Sequence, residues 1–435
     1  MFDLLTSFMK LNLRFLALPL VLAALAPVLS AREPAAVSQL PPNARVAIIG
    51  DSITEQKQYS RYIEAYLLAC LGRQDIKVFQ FGWSGETAGG FAQRAINDLA
   101  VFNPTVATLC YGMNDGRYVP FADTIGADYE KNMRLVLARL QELGVKNVVV
   151  GSPGAVDTKF FARPGATPAQ YNDNLAHLRD IDQKLALEAK YAFANVHDNM
   201  VSVMAKAKAG LGDDYDVCGR DGVHPNANGQ LLMAQSFLKG LGVSGDIGEI
   251  TVDLKGAGSA IGGHKVLGGK DGTVELESAT WPFCFDGNPV GSGSTRSILP
   301  YTSFNQDLNR LILKVKNLDA PKAKVTWGTE SKEFTKEQLT AGINLPAEFA
   351  KTPFDAAFQG LLSALGAKQG YETPMIKGLI TNFRNFAEDI KNDAEFAAAI
   401  STLKQKMLAK QEKLDAQVRS KLVPVKHTLK VEPVL

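Results

Sequence analysis

Charge of one sign, clustered cysteine, paired histidine and a long apolar run are all scarce in these 435 residues. With 47 basic against 45 acidic side chains the formal net charge is +2. No basic face or tail marks a nucleic-acid partner. Four cysteines (Cys70, Cys110, Cys218, Cys284) are scattered without metal-type spacing. Export would permit disulfides, four cysteines allow three pairings, and the sequence chooses none. Cys70 and Cys110 lie in apolar surroundings and read as small buried thiols. Five histidines include no His-x-His pair. No Asp-x-His lies near the first strand either. That excludes a two-metal phosphoesterase, whose site needs clustered His and Asp ligands. No internal repeat or low-complexity tract occurs.

One apolar run stands out at the start. Lys10 and Arg14 precede "FLALPLVLAALAPVL", and small residues follow in "SAREPAA". The run is shorter than the roughly twenty residues of a spanning helix, and it contains Pro19 and Pro27. A basic start, a short apolar stretch and a small-residue exit describe a secretory signal peptide over residues 1–31. Met9 is an alternative start. The expected mature protein is therefore exported, periplasmic or extracellular, without a stable membrane span.

The rest is ordinary for a soluble globular chain, 46% hydrophobic and 21% charged. It is too long for one core, and its rhythm changes twice. Over 42–245 strand-like runs alternate with helical patterns: "RVAII", "IKVFQFG", "TVATLCYG", "VKNVVVG" and "AFANVHD". That order implies right-handed crossovers and a parallel sheet with helices on both faces. Over 246–350, short runs ("EITVDL", "HKVLG", "GTVELES", "LNRLILKVKNL", "AKVTW") separated by turn residues suggest a small antiparallel sheet or sandwich. Residues 351–424 return to helix, with Phe396, Ile400, Leu403, Met407, Leu414 and Val418 on one stripe. Residues 425–435 offer a final strand for the β module.

Four stretches carry chemistry-bearing residues: "VAIIGDSITE" (46–55), "FGWSGETAGG" (81–90), "YGMNDGR" (111–117) and "DGVHP" (221–225). The first three follow successive strands and the fourth precedes a helix, so all four face the rim where open α/β sheets collect ligands. Acyl transfer needs a nucleophile, a base to take its proton, and an acceptor that fixes the base's tautomer. Ser52, His224 and Asp221 supply those types. The charge that develops on the attacked carbonyl needs fixed donors. The N–H groups of Ser52 and Gly85 and the side-chain amide of Asn114 supply three. Each residue alone has a plainer use: Ser52 or Thr54 as a helix cap, Gly85 in a turn, Asn114 as a turn former, His224 beneath Pro225. Trp83 and Arg117 flank the expected pocket as candidates for substrate contact. His177, His197, His264 and His427 look isolated, with His197 closing a strand. Asp51 should point away from the site if Ser52 projects upward.

Taken together, "GDSIT", "WSGET", "GMND" and "DGVHP" resemble the four blocks of the SGNH hydrolases, also called GDSL-type esterases and lipases. Ile53 stands where the name motif has leucine. The resemblance covers roughly residues 44–243. It implies a flavodoxin-like three-layer α/β/α sandwich, a Ser52–His224–Asp221 triad and an oxyanion hole from Ser52, Gly85 and Asn114. It implies no metal and no organic cofactor. The expected activity is ester hydrolysis on a small-molecule or polysaccharide substrate, first among them O-acetyl groups of carbohydrate. Lipase or lysophospholipase activity and O-acyl transfer are alternatives on the same scaffold. A secreted carbohydrate-binding protein is the alternative of another class.

Overall fold

A computed structural model describes residues 39–434; the expected signal segment, 1–31, lies outside the described residues. Five strands form the first sheet: β1 (Arg45–Gly50), β2 (Lys77–Gly82), β3 (Val106–Cys110), β4 (Asn147–Gly151) and β5 (Ala192–Ala194). All neighbours are parallel, in the order β2-β1-β3-β4-β5. This is the flavodoxin-like doubly wound order. Continuous apolar runs such as Val46–Ile49 follow from burial on both faces. Val46, Ile48, Val78 and Val149 enter one core with the helices Tyr59–Ala65, Val196–Leu211 and Ala227–Gly240. Ala47, Ile49, Phe81 and Val150 enter the other with Ala88–Ala100, Asp123–Glu142 and Pro168–Ala189.

Beyond residue 245 the strands form two sheets. One has the order β13-β10-β6-β7, from β6 (Asp246–Asp253), β7 (Ser259–Ile261), β10 (Arg310–Lys316) and β13 (Ile343–Asn344). The other, wholly antiparallel, has the order β12-β11-β14-β9-β8. Its strands are β8 (His264–Gly268), β9 (Thr273–Ser278), β11 (Lys322–Trp327), β12 (Glu330–Thr335) and β14 (Val425–Val434). The module is not purely antiparallel, because β6 and β10 pair in parallel. The excursion between β9 and β10 makes this possible by reaching back to the first domain. There the Trp281 N–H donates to Ala69 O at 2.9 Å and Phe283 meets Tyr62 edge-on.

The helical region packs on the outer edge of β2. An edge strand presents unpaired backbone groups, and here side chains of the helix Asp355–Pro374 occupy them. Lys368 Nζ donates to Val78 O at 2.6 Å, and the Gln80 N–H donates to Glu372 Oε2 at 3.1 Å. Lys368 is fully buried between Glu64 and Glu372, at 2.9 and 3.0 Å. The long helix Ala394–Arg419 buries Met407, Gln411, Asp415 and Val418. The expected stripe is thus partly displaced: Leu403 is exposed, and Gln411 turns inward to donate to Glu372 at 3.0 Å. All four cysteines are buried free thiols.

Candidate active site

β1 ends at Gly50, level with Gly82 of β2 and Cys110 of β3, so three loops leave the sheet from one rim. Gly50 is required by contact: a Cβ there would lie 2.2 Å from Thr54 Oγ1 and 2.7 Å from Cys110 O. The chain turns at once into a short helix, Ser52–Glu55. Its cap is Asp51, whose Oδ1 accepts the Ile53 N–H at 2.9 Å, so neither Ser52 nor Thr54 serves that purpose. Asp51 does point inward, away from solvent. Burial, with Asp115 and Glu86 nearby, pushes its carboxyl up to about 7.

Ser52 Oγ lies 2.8 Å from His224 Nε2, and His224 Nδ1 lies 2.6 Å from Asp221 Oδ2. The relay forms across 172 residues of sequence. Asp221 is gripped from within its own loop: Oδ1 accepts the N–H groups of Val223 (3.0 Å) and His224 (2.9 Å). Partial burial would raise its pKa, but the imidazole and those two N–H donors outweigh it and hold the carboxyl below its usual range. Gln230 braces the two loops together, accepting the Tyr59 N–H at 3.0 Å and donating to Gln56 at 2.7 Å. His224 remains about a third exposed, open to an incoming ester.

The donors expected from sequence sit on the neighbouring loops. Among the described residues, neither the Ser52 nor the Gly85 N–H has an acceptor. Gly85 adopts φ +74°, and a Cβ there would meet nothing within 4 Å, so nothing packs against its Cα on that side. Asn114 Nδ2 gives one hydrogen to Glu86 O at 2.9 Å, while Tyr118 OH donates to its Oδ1 at 3.0 Å. The flip of the amide is thereby fixed and its second N–H left over. Asp115 ties these loops down, accepting from Ala88 N–H and Gly112 N–H, each at 3.0 Å. Burial pushes its carboxyl up to about 6.

Trp83 is flanked by two cations, Arg94 at 4.9 Å and Lys377 at 4.8 Å from its ring. Arg117 is an exposed partner of Asp128 at 2.5 Å. His177 stacks on Phe121. His197 does not close a strand but lies in the first turn of the helix Val196–Leu211. Sequence reasoning missed that His264 and His427 are neighbours, joined through Ser278 Oγ at 2.7 and 2.9 Å. Nothing in their spacing signals it, because strand pairing brings them together. Among the described residues, no three His, Cys, Asp or Glu side chains are grouped to hold a metal ion. None of the described helices is long and apolar enough to cross a membrane.

A flavodoxin-like sheet with a Ser–His–Asp relay on its carboxyl rim belongs to the class of α/β ester hydrolases. Residues 48–232 match the GDSL-like lipase/acylhydrolase family, so this segment forms a domain of the GDSL-type, or SGNH, hydrolase kind. It is an ester-bond hydrolase. Similar folds include a gut microbial diltiazem-metabolizing enzyme, at 20% identity and TM-score 0.71, covering 92% of this chain and 99% of that one. An acetylxylan esterase from Geobacillus stearothermophilus matches at 21% identity and TM-score 0.39, over 47% of this chain and 97% of its own. An α/β hydrolase from the metagenome of Lake Arreo, Spain, matches at 20% identity and TM-score 0.39, over 47% and 98%. No curated protein sequence matches this chain.

Proposed function

We propose that the protein is an exported serine esterase that works through an acyl-enzyme on Ser52. The observation that carries this reading is the unbroken relay Asp221–His224–Ser52, at 2.6 and 2.8 Å. In this reading Ser52 Oγ attacks the ester carbonyl while His224 Nε2 takes its proton. Asp221 holds the imidazole with its Nδ1–H on the carboxylate and stabilises the imidazolium that forms. The N–H groups of Ser52 and Gly85 and the free N–H of Asn114 receive the oxyanion. His224 then protonates the departing alcohol. A water molecule, deprotonated by the same nitrogen, releases the acid and restores Ser52.

Short-chain acyl esters, such as O-acetyl groups on carbohydrate, are the substrates we assign. The support is the polar character beside Ser52, where Tyr118 OH donates to Asn114 at 3.0 Å and the exposed Arg117 lies on the same loop. Ser52→Ala should abolish turnover of p-nitrophenyl acetate while circular dichroism stays unchanged. A wild-type rate in that variant would end the triad assignment. A series of p-nitrophenyl esters, run beside acetylated polysaccharide, should favour the acetyl group. Preference for long acyl chains would overturn the substrate assignment alone.

A further inference from the structure

The helical region lies outside the segment that matches the family, yet two of its side chains are linked to the loop bearing Gly85 through Glu55 and Asp98. We propose that residues 375–381 form a strut for that loop, and that Lys377 and Thr381 are positioning residues for the chemistry assigned above, on which this inference rests.

Two branches run from the strut, one to each side of Gly85. The first starts at Lys377, in the π-helical stretch Met375–Ile380. Its Nζ donates to Glu55 Oε1 at 2.8 Å and Oε2 at 3.0 Å, across 322 residues of sequence. Glu55 Oε2 in turn accepts the N–H of Ser84, the residue before Gly85. Partial burial works against the Glu55 anion, but Lys377 and the Ser84 N–H together hold its carboxyl below the ordinary range. The second branch starts at Thr381, whose Oγ1 donates to Asp98 Oδ2 at 2.7 Å. Asp98 accepts from Arg94 at 2.8 Å, and Arg94 grips both carboxylate oxygens of Glu86, at 2.6 and 2.7 Å. Glu86 follows Gly85. Asn97 adds a tie to the same strut, donating to Ile380 O at 2.8 Å.

The placement matters because Gly85, at φ +74° with nothing near its Cβ position, has no packing of its own to fix its N–H. A left-handed glycine is free to rotate unless its neighbours are held. Here Ser84 is held by a carboxylate that Lys377 neutralises, and Glu86 by an arginine that Asp98 orients. Trp83, between Lys377 and Arg94, links the branches across the loop. A preorganised donor costs no reorganisation when charge develops on the substrate oxygen. The strut therefore acts on the transition state and leaves substrate affinity alone.

The test compares wild type, Lys377→Met, Thr381→Val, the double variant, Lys377→Arg and Ser52→Ala on p-nitrophenyl acetate. In the double variant kcat should fall about tenfold to a hundredfold, with KM changed by no more than about twofold. Inhibition by phenylboronic acid should weaken in parallel. Its boron accepts a lone pair from Ser52 Oγ, the proton passes to His224, and a boron-bound oxygen takes the oxyanion position. Lys377→Arg should restore most of the rate. Thermal midpoints and circular dichroism report folding. If the double variant does not fold, Lys377→Met alone, at a quarter-exposed site, should still lower kcat severalfold. A folded variant with wild-type kcat overturns the strut. So does a lower kcat with unchanged boronic acid affinity, which would mean a merely structural role. Activity surviving in Ser52→Ala would instead overturn the acyl-enzyme reading.

Discussion

Asp221→Asn separates orientation from charge at the relay, and the surroundings of Asp221 dictate how the new amide must sit. Oδ1 of Asp221 accepts two backbone N–H groups, from Val223 and His224. An asparagine must keep its carbonyl oxygen there, since an NH2 facing two N–H donors would leave all of them unpaired. Its NH2 then takes the place of Oδ2, 2.6 Å from His224 Nδ1. Two donors cannot share that contact, so Nδ1 must become the acceptor and the ring proton must move to Nε2. That nitrogen faces Ser52 Oγ at 2.8 Å, and once protonated it cannot take the hydroxyl proton. Wrong-tautomer substitutions of this kind lower kcat by about ten-thousandfold, or about 5.4 kcal/mol. The expected outcome is that loss in kcat for p-nitrophenyl acetate, with KM and thermal midpoint close to wild type. A folded Asp221→Asn enzyme retaining more than about a tenth of the wild-type kcat would refute the reasoning.

Three further outcomes are expected. Asn114→Ala removes one oxyanion donor and should lower kcat about a hundred- to thousandfold, read by the same assay; an unchanged kcat would remove Asn114 from the site. In the β module, Trp327 Nε1 donates to His427 Nδ1, and His427, Ser278 and His264 continue the chain to Ile247 O. Burial lowers both histidines from 6.5 to about 4, so both are neutral in the fold. Depressed pKa values give stability that is present above about pH 6.5 and lost as pH falls through about 4, roughly 3 kcal/mol for each histidine. Asp51 and Asp115 act in the opposite sense, so urea midpoints should be compared with those of His264→Gln/His427→Gln. Equal acid sensitivity in the two proteins would contradict the assignment of His264 and His427 as buried neutral groups. Lys368→Met strands Glu64 and Glu372 in the interior and should cost about 3–5 kcal/mol by urea unfolding; a loss below about 1 kcal/mol would show that neither carboxylate depends on it.

The sequence by itself determined the parallel sheet and the rim where its loops gather. Both follow from local pattern: apolar runs of strand length, helices between them, and a turn-forming glycine at Gly50. Because parallel strands all point one way, their carboxyl ends meet on one side, and "GDSIT", "WSGET" and "GMND" could be placed there without coordinates. The tertiary structure then showed that Ser52, His224 and Asp221 come within hydrogen-bond reach, which spacing can suggest but not measure.

Other features depended on partners far away in the chain. Lys368, Glu372 and Gln411 are polar residues in helical sequence with no local signal of burial, yet they are buried because strand β2 offers an open edge and Glu64 a counter-charge. Lys377 shares the Glu55 carboxylate with the Ser84 N–H only because the helical region packs there. The parallel pairing of β6 with β10 depends on the excursion that docks Trp281 against Ala69. An apolar side chain announces its own burial, since water rejects it whatever the neighbour. A polar side chain goes inside only where a specific partner waits, and the identity of that partner is information that only the folded chain contains.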